Sequence, residues 1–167
     1  SDKMSKDIDE MEKMLNDYLQ FAKTQSLENS SEINLLSLMK KIEININSSN
    51  LILDLSENVV VKGRYYSLKR CFENIIQNGL NYGEKVHVHF SKGSNIITIN
   101  FEDDGPGIPE DQYKNVFKPF FRLDKSRNLN KSGIGLGLAI VEDIVNSHGG
   151  NIQLGKSKYN GLLVKIS

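Results

Sequence analysis

Two glycine-rich segments set the limits within which this chain can fold: Asp103-Asp104-Gly105-Pro106-Gly107-Ile108-Pro109 and Gly133-Ile134-Gly135-Leu136-Gly137-Leu138-Ala139. Glycine loses more backbone freedom on ordering than any other residue, so neither segment suits the interior of a helix or strand. Each must lie where one element gives way to another. The first directly follows Ile96 to Phe101, which reads as a strand. The second opens the run from Leu136 to His148, which reads as a helix stopped by Gly149-Gly150. An asparagine-rich helical stretch, Asn74-Ile75-Ile76-Gln77-Asn78-Gly79-Leu80-Asn81-Tyr82, precedes both.

The remaining periodicities fill in the architecture. Met4, Ile8, Met11, Leu15, Tyr18 and Ala22 form one apolar seam on a helix. A lone helix of this length is marginal in water, so it packs either on its own domain or against another helix of the parent protein or a second subunit. Gln25 to Ser31 reads as a polar linker. Asn34 can cap a helix with Leu35, Leu38, Met39, Ile42 and Ile46 on its buried face. Leu51 to Leu55 and Val59 to Val61 read as short strands around a Ser56-Glu57-Asn58 turn. Leu68, Phe72, Ile75, Ile76 and Leu80 mark the core side of the asparagine helix. Val86, Val88 and Phe90 alternate with His87 and His89 in a half-buried strand, and Lys92-Gly93-Ser94-Asn95 joins it to the next. Asp111 to Val116 suggests a short helix, and Arg122 to Ser132 a mobile polar loop. Asn151 to Leu154 and Leu162 to Ile166 form a closing hairpin around Tyr159-Asn160-Gly161. The sum is an α+β, two-layer sandwich: a sheet of about five strands with helices on one face, plus an N-terminal helix.

Composition narrows the function classes. Lysine plus arginine and aspartate plus glutamate number 21 each among 167 residues, so no net charge draws the chain to nucleic acid or a membrane surface. The single Cys71 excludes an internal disulfide framework and a multi-cysteine metal site, and its helical setting reads as a core thiol. No stretch approaches the roughly 20 apolar residues of a membrane span, and Ser1 to Asp7 has no signal-peptide pattern. The helical pattern begins without a cap before Met4, which reads as an excised piece of a longer protein, one that could itself be membrane-bound.

Three segments carry the chemistry. Asn74, Asn78 and Asn81, spaced by four and three, share a helix face. Amide oxygens there can meet a hard cation and amide NH2 groups can meet phosphates; an ordinary solvated polar face is the alternative. Asp103 ends its strand, where a carboxylate can accept from an exocyclic amine such as adenine N6 and would repel the carbonyl of guanine; a plain Asp-Gly-Pro turn is the alternative, with Asp104 facing out. The Gly133 to Gly137 run at a helix start offers N–H groups and a dipole suited to phosphate. It neither follows a strand, as a dinucleotide fingerprint requires, nor contains a P-loop Gly-Lys-Ser/Thr. Lys125, Arg127 and Lys131 either reach phosphates or are solvated. Phe117-Lys118-Pro119-Phe120-Phe121-Arg122 reads as the anchor of a lid that also feels the nucleotide.

In this order the segments resemble the catalytic ATP-binding domain of sensor histidine kinases, within the wider family of DNA gyrase B, heat-shock chaperone and mismatch-repair ATPases. Asn74 to Tyr82 is similar to that family's N box, Asp103 to Gly107 to its first glycine box, Phe117 to Phe120 to its F box, and Gly133 to Gly137 to its second glycine box. The likeness covers about Leu35 to Ser167, and Glu102 to Ile108 resembles osmosensor-type kinases. It implies ATP and Mg²⁺ as ligands, with Asn74 and Asn78 catalytic and Asn78 holding the metal. It further implies that Asp103 reads adenine, Tyr82 stacks near it, and Gly135 and Gly137 contact phosphates. Asn81, Gly105, Gly107, Ile108, Phe120, Arg122, Lys131, Gly133, Leu136 and Leu138 complete the implied ATP site. Relatives that hydrolyse ATP carry Glu at the position of Asn74; an amide is no general base, which points to phosphoryl transfer.

The same resemblance makes residues 1–28 the second helix and linker of a dimerisation hairpin and 29–167 the catalytic domain. The phosphoacceptor histidine of such kinases begins an H-E-x-x-x-P hairpin. His87, His89 and His148 all lack that context: the first two read as outward strand residues, the third as a helix-end residue favoured by the dipole. The implied partners are a separate His-bearing hairpin, a response regulator and a second copy in the full-length protein, with no nucleic acid. The implied location is the cytoplasmic side of a bacterial inner-membrane protein. Three departures stand out: Asn81 in place of a basic residue, Ile134 in place of a small hydroxyl residue, and Gly79 in place of Ala, which would soften the helix by roughly 0.5–1 kcal/mol unless close packing needs it. The alternative readings are a degenerate nucleotide-binding regulatory module, or a Ser/Thr kinase or anti-sigma factor of the same fold.

Overall fold

The computed structural model describes residues 2–55, 58–121 and 137–167, with side chains at all of them except 25 and 26. In chain order the elements are α1 (Asp2–Leu27), β1 (Ser31–Asn34), α2 (Leu35–Ile46), β2 (Leu51–Asp54), β3 (Val60–Gly63), α3 (Tyr65–Tyr82), β4 (Val86–Lys92) and β5 (Ile97–Asp103). Two single 3₁₀ turns follow, Glu110–Gln112 and Asn115–Phe117, and then α4 (Gly137–Ser147), β6 (Ile152–Lys156) and β7 (Leu162–Ile166).

The main sheet has five strands in the order β2-β4-β5-β7-β6, with β2 and β4 parallel and the other neighbours antiparallel. Alternate side chains point to opposite faces of a strand. Register therefore aligns Leu51, Val86 and Asp103 across one row, and Val88, Phe101, Val164 and Leu154 across the next. These rows meet Leu38, Met39 and Ile42 of α2, Phe72, Ile75 and Ile76 of α3, and Val141 and Ile144 of α4 in one core. The opposite sheet face carries His87, His89, Asn100, Glu102 and Lys165. Among the described residues no helix is long and apolar enough to cross a membrane.

Most expected elements are present. Asn34 caps α2, its Oδ1 accepting from the Ser37 N–H at 3.0 Å. Cys71 is fully buried, and burial pushes its thiol far above the usual range. The strands read on either side of residues 56–57, however, do not pair with each other. β2 joins the main sheet, and β3 pairs with β1 in a separate two-stranded sheet; the 56–57 part of the turn lies outside the described residues. The expected linker from Gln25 to Ser31 shrinks, because α1 runs to Leu27 and Ser31 opens β1. Asp111 to Val116 is not one helix but the two 3₁₀ turns.

The seam of α1 divides. Met4, Ile8, Met11 and Leu15 are exposed, while Met14, Tyr18 and Phe21 pack against the core. Tyr18 donates to Asp143 Oδ2 of α4 at 2.6 Å, and that bond raises the phenol's pKa. The Arg70 guanidinium of α3 lies 4.5 Å over the Phe21 ring. Arg64, at the N-terminus of α3, offers no side-chain cap. Glu28 supplies one instead, its carboxylate accepting from the N–H groups of Tyr66 and Ser67 at 2.8 and 3.1 Å and from the Ser67 hydroxyl. A carboxylate at a helix N-terminus also meets the positive end of the dipole.

Candidate nucleotide site

The asparagine helix and the first glycine segment meet where α3 passes over β4 and β5. Gly79 makes this approach possible. A Cβ there would lie 2.6 Å from Val86 Cγ2 and 3.4 Å from Asp103 Cβ. The departure at Gly79 thus has a packing reason in this chain: it lets α3 lie directly on the end of β5. At the end of α3 the backbone of Tyr82 lies close to Gly105. The amphipathic pattern of α3 turns Cys71, Phe72, Ile75 and Ile76 inward and leaves Asn74, Asn78 and Asn81 half-buried. Asn81 Oδ1 accepts from Gln77 Nε2 at 3.2 Å, so its oxygen is engaged within the helix.

Asp103 is 8% exposed. Its Oδ1 accepts from the N–H groups of Gly105 at 2.9 Å and Leu162 at 3.0 Å. Its Oδ2 lies on the side of Gly79 and accepts no hydrogen bond among the described residues. Burial pushes this carboxyl above the usual carboxylate range; the two N–H groups offset part of the rise, and the Asp104 charge adds to it. The result is an oriented acceptor with one oxygen fixed by the backbone.

Asp104 faces out as expected, yet it is not merely solvated. Its Oδ1 accepts from the N–H groups of Glu84 and Lys85 at 2.7 and 2.9 Å. Those bonds, the Lys85 N–H first, hold its carboxyl below the usual range. Asp104 therefore ties the chain after α3 to the glycine loop. A charged Asp beside a turn looks solvated in a sequence, and only the α3–β5 approach supplies its partners. The contact between Gly161 and Asp103 was equally invisible: a Cβ at Gly161 would fall onto Asp103 Oδ1 and its carbonyl.

The other expected site residues lie around this centre. Tyr82 is exposed at the end of α3. Gly107 lies against the Gly161 carbonyl, and Ile108 packs on the core. Phe120 is 41% exposed with φ of 65°. Gly137 begins α4 with no described residue packed against it, and Leu138 is partly buried. Phe117 lines a different place, a groove of about 680 Å³ shared with Tyr113, Pro119, Glu142, Ile152 and Leu154. Arg122, Lys131, Gly133, Gly135 and Leu136 lie outside the described residues, as do Lys125, Arg127 and Ile134 and the loop expected from Arg122 to Ser132.

His148 sits at the end of α4 as expected, but as a neutral ring. It does not present a charge to the end of α4. It is half-buried, its Nε2 accepts the Arg64 N–H at 3.0 Å, and its Nδ1 lies 2.8 Å from the Ile144 carbonyl. A backbone N–H can only donate, so Nε2 carries no proton and Nδ1 donates. Burial lowers the imidazole pKa. His87 stacks on Tyr159 with centroids 4.0 Å apart, and His89 Nε2 lies 3.2 Å from Glu102 Oε2.

Residues 63–166 match the family model described as histidine kinase-, DNA gyrase B-, and HSP90-like ATPase. The chain is 31% identical over 172 residues to the sensor histidine kinase GtrS of Pseudomonas aeruginosa, covering 99% of this chain and 34% of that protein. It is 38% identical over 105 residues to the sensor histidine kinase CpxA of Escherichia coli, covering 62% of this chain and 23% of that one. The chain thus spans about a third of the first of these relatives and about a quarter of the second. Among solved structures, the histidine kinase domain of the E. coli osmosensor EnvZ is 33% identical with a TM-score of 0.61, covering 81% of this chain and 85% of that one. The mycobacterial sensor histidine kinase MprB shares the fold at a TM-score of 0.71 and 23% identity, over 83% of this chain and 95% of that one.

Proposed function

This chain belongs to the histidine kinase-, DNA gyrase B-, and HSP90-like ATPase family as an ATP-binding catalytic domain of a sensor histidine kinase, and we propose that it holds ATP with Mg²⁺ for transfer of the γ-phosphoryl group to a histidine on a separate dimerisation hairpin. The observation that supports this reading is the close approach of α3 to β5 at Gly79, which puts the helix that carries the asparagines directly against Asp103.

In this reading Asp103 accepts a hydrogen bond from the adenine amino group. The backbone N–H groups on Oδ1 fix the direction of the carboxylate, and Oδ2 faces the base. Tyr82, exposed at the end of α3, stacks near the ring, and Gly105, Gly107 and Ile108 lie along it. Phe120, Arg122, Lys131, Gly133, Gly135, Leu136, Gly137 and Leu138 serve the phosphate side with Asn81. Asn78 would hold Mg²⁺. One amide oxygen fits a cation that takes hard oxygen ligands and completes its shell with phosphates and water. Bound there, Mg²⁺ supplies charge neutralisation at the phosphates. Asn74 lies one turn away and orients phosphate oxygens by its NH2 group. In-line transfer needs positioning and electrostatics more than a protein nucleophile, and an amide at Asn74 supplies no base for water attack.

In the full-length protein α1 acts as the second helix of the hairpin, with residues 29–167 as the catalytic unit; the exposed Met4, Ile8, Met11 and Leu15 row supports this assignment. That protein works as a homodimer at the cytoplasmic side of a bacterial inner membrane and passes the phosphoryl group to a response-regulator aspartate. The test is to incubate this chain with a separate histidine-bearing hairpin and γ-labelled ATP, with and without Mg²⁺. Acid-labile label on the hairpin, dependent on Mg²⁺ and lost in Asn78→Ala, is expected. Acid-stable label, or no calorimetric binding at roughly millimolar ATP, would overturn the proposal.

A further inference from the structure

Glu102 and Asp103 are neighbours on β5, so their side chains leave opposite faces of the sheet. Both nevertheless reach the same connection between β6 and β7. From the helix-covered face, Asp103 Oδ1 accepts the Leu162 N–H at 3.0 Å. From the open face, Glu102 Oε1 accepts the Lys158 N–H at 3.2 Å. Glu102 Oε2 lies 3.2 Å from His89 Nε2 and 4.0 Å from Lys158 Nζ. Glu102 is 6% exposed, an unusual depth for a carboxylate on the open side of a sheet, and it is tolerated only with partners of this kind.

The connection gripped between them is a tight turn. Asn160 N–H donates to the Ser157 carbonyl at 3.1 Å, and Ser157 N–H to the Gly161 carbonyl at 2.9 Å. The Ser157 hydroxyl accepts the Tyr159 N–H at 2.9 Å, and the Tyr159 ring is stacked on His87. The far end of the turn is the wall of the candidate site: Gly161 abuts Asp103 so closely that no Cβ fits, and Gly107 rests on the Gly161 carbonyl. A displacement of the turn would move the N–H that fixes Asp103 and the surface behind the glycine loop.

We propose that Glu102 is a positioning residue for nucleotide recognition, seating the Ser157–Gly161 turn through the Lys158 N–H so that Asp103 keeps its aim. The inference rests on the reading of Asp103 as the acceptor for the adenine amino group. A carboxylate bond to a backbone N–H is charge-assisted and stronger than a neutral one, which suits a residue that must hold a turn from the solvent side.

The test compares Glu102→Ala, Glu102→Gln, Lys158→Pro and Asp103→Asn with the unaltered chain. Affinities are measured by calorimetry for ATP and for inosine triphosphate, which has an oxygen in place of the 6-amino group, after circular dichroism shows each variant folded. Lys158 is the second residue of its turn, where proline is favoured, so Lys158→Pro removes the donated N–H without opposing the turn, and it carries the test if Glu102→Ala does not fold. Glu102→Ala and Lys158→Pro are expected to bind ATP about tenfold more weakly and to lose much of the preference for ATP over the inosine nucleotide. Glu102→Gln, which keeps an acceptor oxygen, is expected to stay within about twofold. Unchanged affinity and preference in Glu102→Ala and Lys158→Pro, with both lost in Asp103→Asn, would overturn the proposal and leave the reading of Asp103 intact. Equal losses in Glu102→Gln and Glu102→Ala would overturn the route through the Lys158 N–H. If Asp103→Asn itself binds and discriminates like the unaltered chain, the reading of Asp103 falls, and the proposal with it.

Discussion

Gly79 of α3 lies against Val86 of β4, so close that a Cβ on the glycine would come within 2.6 Å of a Val86 methyl. Two effects of Gly79→Ala therefore oppose each other. Alanine in place of glycine favours a helix interior by roughly 1 kcal/mol. Forcing a methyl into a filled core costs about 1–3 kcal/mol, and Val86 is fully buried. The second effect is expected to win, with a net loss of about 1 kcal/mol in denaturant unfolding. Adding Val86→Ala to Gly79→Ala should leave less further damage than Val86→Ala causes alone, because the two changes share one space. Strict additivity of the two would show that the contact does not decide the effect.

The N-terminus of α3 is held from outside the helix. Glu28 caps it where Arg64 does not, so Glu28→Ala is expected to destabilise by about 1–2 kcal/mol, in the range of lost helix caps. Glu28→Gln keeps an acceptor and should lose less than half of that. Hydrogen exchange reads the site directly: the Tyr66 and Ser67 amides should lose protection in Glu28→Ala well beyond the amides in the middle of α3.

The turn at the first glycine segment, the amphipathic α3 and the terminal hairpin were legible because each is a local pattern with a local physical cause. Asp103 could be placed at a strand end because the glycine segment directly follows the strand read from Ile96 to Phe101, and Asn34 as a cap from residue type. The parts that were not legible depend on approach over long separations. β1 is four residues of mixed polarity, Ser31–Asn34, and becomes a strand only because β3 lies beside it. Leu51–Asp54 looked like half of a hairpin because its true neighbour, β4, is reached by a parallel pairing that sequence proximity cannot reveal. Tyr18 belonged to a seam by spacing, yet its hydroxyl turns it toward Asp143, 125 positions away. Gly79 read as a weakness in a helix unless close packing needed it, and the Val86 methyl and Asp103 beneath it supply that need.

His148 gives the fold a pH dependence of definite sign. Its folded pKa is lowered below 6.5, chiefly by burial, with the Arg64 charge acting in the same direction and the Ile144 carbonyl and Glu28 opposing. Between the folded and unfolded values the unfolded chain binds more protons, so this histidine's contribution rises with pH. It is fully present above about 6.5 and is lost as pH falls through the lower folded value. Protonation also sets a second ring N–H against the backbone N–H of Arg64, which can only donate. The midpoint of denaturant unfolding, compared between pH 7.5 and 5, should fall further in the unaltered chain than in His148→Gln. Equal falls would mean that His148 does not contribute to the dependence.

Asp103→Asn should separate stability from recognition. Burial raises the carboxyl's pKa in the folded state, so the charged form is less favourable there than in the unfolded chain, and removing the charge removes that penalty. The asparagine oxygen can still accept from Gly105 and Leu162, the partners that fix Oδ1. The variant is therefore expected to be as stable as the unaltered chain or more so. Its amide NH2 then occupies the place of Oδ2 and meets the adenine amino group donor to donor. Losing a hydrogen bond to a charged group is worth about 1.5–3 kcal/mol, so ATP affinity should fall between about tenfold and a hundredfold. An NH2 group there can donate to a 6-oxo purine, so the ratio of ATP to inosine triphosphate affinity should fall as well. Thermal unfolding alongside calorimetry with both nucleotides checks this. A variant that loses stability and affinity together, with the nucleotide ratio unchanged, would make Asp103 a structural anchor of the β5–β7 junction and no reader of the base.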